Sequence, residues 1–141
     1  PVSRILGIDF GTRRIGLALS DPTGALASPL PWLENTRTRE VVAKLNELVQ
    51  LHGVESIVIG LPRNMDGSYG PSAEKVRQFI AEMETQISAK IFAQDERLTT
   101  RQASRDLSGF GLNQKELRQK VDSAAATLIL QQFLDRTQSN P

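Results

Sequence analysis

Residues 4–20 read RILGIDFGTRRIGLALS, and this stretch decides the fold class. Its first half is a short apolar run that ends in Asp9-Phe10-Gly11-Thr12, the pattern of a strand entering a turn. Residues 15–20 alternate apolar and small side chains and read as a second strand. Only residues 11–14 separate the two, so they are expected to pair as an antiparallel hairpin.

Residues 25–33 suggest a third strand. Pro29 and Pro31 cannot donate to a ladder, which places that strand at a sheet edge. Between 38 and 51 the apolar residues Val41, Val42, Leu45, Leu48 and Val49 recur at helical spacing, and Gly53 supplies a left-handed stop. Residues 56–60 (SIVIG) read as a buried strand, and 61–71 (LPRNMDGSYGP) as an exposed loop. Ser72 is the expected N-cap of a helix that turns Val76, Phe79, Ile80, Met83 and Ile87 inward. A fifth strand follows at 90–94, with Asp95-Glu96-Arg97 leaving its C-terminal end. Residues 99–108 read as helical, and 109–111 (GFG) as a break. Asn113 with Glu116 resembles a capping box opening a last helix that runs to about Arg136. This order predicts an α/β domain over residues 1–137 with a polar tail at 138–141. Its mixed five-stranded sheet has the first three strands antiparallel, the last two parallel to the first, and helices on both faces.

Composition narrows the chemistry. The 141 residues are 39% hydrophobic and 23% charged, an ordinary balance for one globular domain. No apolar run reaches membrane-spanning length, and the first residues lack signal-peptide character, so the expected location is the cytoplasm. There is no cysteine and one histidine, His52, which excludes thiolate and multi-histidine metal sites. His52 reads as a surface residue in a last helical turn. Any metal must be held by oxygen, which favours Mg2+ or Mn2+ over zinc. Net charge is only +1, but arginine outnumbers lysine 12 to 5, and its planar fork matches phosphate oxygens.

Three acids are expected to meet. Parallel strands share their C-terminal edge, where open α/β sheets place their ligands. Asp9 ends the first strand there and Glu96 follows the fifth. Asp21 closes the antiparallel second strand and belongs to the far edge. Asp122 begins the stripe Ala126, Ile129, Phe133 and Leu134, the face expected to pack on the sheet. A carboxylate there is costly to desolvate unless paired or metal-bound, and Ala124-Ala125-Ala126 lets the helix approach closely. Two Mg2+ ions roughly 3.5–4 Å apart, with Asp9 bridging, would suit in-line hydrolysis of a phosphodiester. Simpler roles remain open: Asp9 as a turn cap, Glu96 paired with Arg97 or Arg101, Asp122 as a helix N-terminal acid. Asp66 reads as a turn residue, and Asp95 as a substitute ligand. Arg97, Arg101 and Arg105 form one helical stripe, with Arg13 and Arg14 in the hairpin turn, Arg63 in the neighbouring loop and Lys120 just before Asp122. Together they offer a backbone grip on nucleic acid. Tyr69 and Phe110 are candidate base-stacking residues.

Four segments carry a family pattern in order: GIDFGTRRIGLALSD, IVIGLPRNMDGSYGP, DERLTTRQA and KVDSAAATLIL. The chain resembles the YqgF (RuvX) family of pre-16S rRNA nucleases, once described as Holliday-junction-resolvase-like. The resemblance implies a ribonuclease H-like fold, divalent-metal nuclease activity and maturation of the 5′ end of 16S rRNA. It matches Asp9, Glu96 and Asp122 to the family's acids. Junction resolvases carry a fourth acid one turn after the helical aspartate, where this chain has Ala125. Pre-rRNA is therefore favoured over branched DNA, for a monomer or weak homodimer. The competing readings are a junction resolvase, a non-catalytic RNA-binding assembly factor, and an actin- or sugar-kinase-type phosphotransferase, for which one such domain is too few.

Overall fold

Alternation along the opening hairpin sorts its side chains onto the two faces of a sheet. The structure, a computed structural model, describes residues 4–64, 66–95 and 114–138; the side chains of 114–122 and of Gln138 lie outside the described set. Strands β1 (Arg4–Phe10) and β2 (Arg14–Ser20) pair antiparallel, and β3 (Ala27–Glu34) adds to β2. Helix α1 (Thr38–His52) crosses to β4 (Val54–Leu61), and α2 (Pro71–Gln86) crosses to β5 (Lys90–Asp95). Both β4 and β5 run parallel to β1, giving the order β3-β2-β1-β4-β5. The proline-bearing strand β3 is an edge, as its missing donors require. Helix α3 (Gln114–Gln138) closes the described chain. Among the described residues no helix is long and apolar enough to cross a membrane.

Leu6 and Ile8 of β1, Ile15 and Leu17 of β2, and Ile57 and Ile59 of β4 face α1 and α2. There they pack with Val41, Leu45, Phe79 and Met83 in the main core. Each such side chain contributes about 1.5–3 kcal/mol on burial. The other face carries Ile5, Ala18 and Val58 and takes α3 through Ala126, Ile129, Leu130 and Leu134. Gly7 leaves that face without a side chain beneath α3, so the helix comes close there and abuts it with Ala126 and Leu130.

Gly53 ends α1 in the left-handed conformation, as the sequence suggests. The start of α2 differs from expectation: Gly70, not Ser72, is the N-cap, and Pro71 occupies the first turn. Proline wins because its fixed φ suits the first helical position and the N–H it lacks would have no partner there. The expected helix at 99–108, the break at 109–111 with Phe110, and the Asn113 cap lie outside the described residues.

Candidate active site

Three hydrogen bonds set the direction of α3 against the sheet. Ser123 Oγ donates to Leu30 O at 2.7 Å. Eight residues further along α3, Gln131 accepts from Ala27 N at 2.9 Å and donates to Ala25 O at 3.0 Å. As α3 advances, its contacts move backward along β3, so the helix runs antiparallel to β3 and therefore to β1. Asp9 has the same parity as Gly7 and so lies on the α3 face. From Gly7 to Asp9 is about 6.6 Å along the strand, and from Ala126 back to position 122 about 6 Å along the helix. Equal strides in opposite directions bring position 122 of the helix backbone alongside Asp9.

The row of the sheet that contains Asp9 is cleared of side chains on both sides. Asp9 is the register partner of Gly16 on β2. On β4, Ile59 pairs with Ile8, which carries Gly60 level with Asp9, and Gly60 in turn pairs with Gln94 of β5. A half-buried carboxylate thus stands between two glycines at the C-terminal end of the central strand. Gln94 is buried and reaches α3, with Nε2 donating to Ile129 O at 2.9 Å and to Gln132 Oε1 at 3.2 Å. Among the described residues its Oε1 has no partner.

The turn beyond Asp9 is tightly built. Gly11 N donates to Arg14 O at 3.0 Å, and a side chain at Gly11 would collide with that carbonyl. Asn35 braces the same turn, Nδ2 donating to Gly11 O and its backbone N–H to Arg13 O, both at 2.8 Å. Arg13 is exposed in the turn, while Arg14 is already the first residue of β2. The Arg14 guanidinium lies 4.8 Å from the Trp32 ring centroid, across β3.

Arg63 follows β4 on the same sheet edge. Its Nε donates to Gly67 O at 2.6 Å, and its Nη1 meets Asp95 Oδ2 at 3.5 Å. Asp66 accepts from the Ser68 backbone N–H and hydroxyl, the turn role expected of it. Asp21 lies at the opposite edge. The Leu26 N–H and the Thr23 hydroxyl, helped by the Ala25 and Thr23 N–H groups and opposed by burial, lower its pKa to about 2. His52 sits in the last turn of α1.

Of the expected site, the course of α3 carries backbone position 122 towards the row of Asp9, whereas Asp95, one residue beyond Gln94, has the opposite parity and lies on the α1/α2 side of the sheet with Ile91. Glu96, Arg97, Arg101 and Arg105 lie outside the described residues, as do the side chains of Asp122 and Lys120. Sequence reasoning missed Leu130, whose periodicity matched the packing stripe. It also missed Gln94 and the glycines Gly16 and Gly60, which only the strand register aligns with Asp9.

A mixed sheet that opens with a hairpin, takes the order β3-β2-β1-β4-β5 and is covered by an antiparallel helix is a ribonuclease H-like fold, and the family to which the chain belongs makes it a nuclease, a hydrolase of phosphodiester bonds. The chain belongs to the RuvX family, whose model, described as Holliday junction resolvase, matches residues 3–136. A relative from Moorella thermoacetica named "Putative pre-16S rRNA nuclease" is 46% identical over 97% of this chain and 98% of its own. A second of that name, from Halalkalibacterium halodurans, is 42% identical over 96% and 98%. In structure the chain is similar to Thermus thermophilus RuvC solved with a Holliday junction substrate. That match has a TM-score of 0.62 at 14% identity and covers 98% of this chain and 97% of that one. The fowlpox virus resolvase aligns with a TM-score of 0.54 at 11% identity over 95% and 98%. These two likenesses concern the fold.

Proposed function

We propose that this sheet edge is the active site of a metal-dependent nuclease that processes the 5′ end of pre-16S rRNA. The observation that carries the reading is the clearing between Gly16 and Gly60, in which Asp9 stands opposite an antiparallel helix bearing Asp122. In this reading Asp9, Glu96 and Asp122 would hold Mg2+ or Mn2+. The donors fit such ions: they are carboxylate oxygens, in a chain with no cysteine and one histidine. When bound, the cations supply charge stabilisation at the phosphate and a more acidic water. The chain's own groups do the rest. The Asn35-braced turn would hold Arg13 at the rim, ready for a backbone phosphate. Arg14, Arg63, Arg97, Arg101, Arg105 and Lys120 extend that sequence-independent grip.

Pre-rRNA as substrate is supported by the names of the relatives. A branched-DNA reading is favoured by the family's description, but the position where junction resolvases carry a fourth acid is here Ala125, which is fully buried. Incubating the purified protein with Mn2+ and single-stranded RNA, single-stranded DNA or a four-way junction separates these readings. RNA is expected to be cut, and EDTA to stop it. Asp9→Asn and Asp122→Asn should each lower cleavage about 10²–10³-fold without changing the melting curve. Full activity in either folded variant would remove the assignment.

A further inference from the structure

The loop between β4 and α2 builds a second feature that the carboxylate site does not use. Tyr69 is a large apolar side chain left 44% exposed, and two guanidinium groups converge on its ring. Arg63 lies 5.1 Å from the ring centroid and Arg77, on the second turn of α2, lies 4.9 Å from it. The loop is shaped to hold this cluster. Asn64 N donates to Ser68 O at 2.8 Å, Gly67 N to Asn64 O at 2.8 Å, and Arg63 Nε closes the turn on Gly67 O. Each cation has one acid near it. Arg63 meets Asp95 at only 3.5 Å, Arg77 meets Glu74 at only 3.7 Å, and both arginine side chains remain partly open to solvent.

An exposed phenol flanked by planar cations presents stacking surfaces for bases and forked donors for phosphate on one patch. Bases inside a duplex have their faces covered by their neighbours; only unpaired bases can use such a surface. The cluster leaves the end of β4, the strand next to β1, so it borders the edge that carries Asp9. We propose that Tyr69, Arg77 and Arg63 grip an unpaired stretch of the nucleic acid beside the cut phosphate, which makes the enzyme selective for single-stranded flanks. Arg77 is the added specificity residue. The inference rests on the nuclease reading of the same edge.

Fluorescence anisotropy in EDTA, where no strand is cut, tests it with a labelled 12-nucleotide single-stranded RNA, the matching DNA strand and a blunt duplex. Tyr69→Ala should weaken binding to the single strands roughly 5- to 150-fold, the range expected for one lost base stack. Tyr69→Phe, which keeps the ring, should bind like the parent, and duplex binding should not change. Arg77→Ala should reduce the slope of log affinity against log salt by about one. Single-strand binding by Tyr69→Ala equal to the parent's would overturn the inference, as would equal losses on single strand and duplex. A parent protein that binds none of the three probes would instead remove the nuclease reading beneath it.

Discussion

Between Gly7 of β1 and Leu130 of α3 there is no room for a methyl group. A Cβ on Gly7 would stand 2.8 Å from the Leu130 Cβ and 3.0 Å from the Ala126 carbonyl oxygen, and both are fixed parts of a packed helix. Gly7→Ala must therefore push α3 off the sheet. We expect it to destabilise the fold by about 1–3 kcal/mol, read from the urea midpoint. The same shift separates position 122 from Asp9, so cleavage should fall further than stability alone explains. A variant as stable and active as the parent would show that α3 is not seated by this contact.

The two glycines beside Asp9 are buried, so a side chain at either must displace what packs around Asp9. Gly60→Val sets a branched side chain into the row that Asp9 shares with Gln94. Misplacing a reacting group by about 1 Å costs about 10²-fold in rate. The variant is expected to lose activity on that scale while its circular dichroism matches the parent. Undiminished cleavage would mean that substrate does not approach through this row.

Gln94 poses a balance of two opposed effects. Its amide nitrogen clasps α3, a gain of about 0.5–1.5 kcal/mol, whereas a buried acceptor left unpaired costs about 1–3 kcal/mol. Its Oε1 is such an acceptor among the described residues. Methionine keeps the length and removes both, so Gln94→Met should be neutral or slightly stabilising by thermal melting. Gln94→Ala, which leaves a cavity, should destabilise. Loss of activity in the stable Gln94→Met variant would reveal that the glutamine is kept for the site. A clear drop in melting temperature would refute the balance drawn here.

Asp21 supplies a pH dependence with a definite sign. Folding lowers its pKa from 3.8 to about 2, through the Leu26 N–H and the Thr23 hydroxyl foremost, so the native turn prefers the charged carboxylate. Its contribution is whole above about pH 4 and disappears as the pH falls to about 2. The stability difference between the parent and Asp21→Asn should therefore shrink across that window and be flat from pH 5 to 8. A difference that grows on acidification would contradict the assignment.

How far the sequence reached can be judged element by element. The hairpin, the proline-marked edge strand β3, the Gly53 stop and the parallel strands β4 and β5 all follow from periodicity and turn chemistry, because those signals are local. The N-terminus of α2 was misread although its signal is also local: Pro71, whose fixed φ suits the first helical position, outweighs Ser72 as the start. Asp9 was legible as a strand-end acid.

Its surroundings were not. That Gly16 and Gly60 flank Asp9 depends on strand register, that position 122 reaches it depends on the antiparallel course of α3, and that Arg77 joins Arg63 at Tyr69 depends on how the loop folds onto α2. Which elements form, and which residue types the chemistry can use, are written within a few neighbouring positions of the chain. Tertiary structure alone decided which of those residues share one space, because proximity between distant segments is set by register and packing, and neither leaves a mark along the chain.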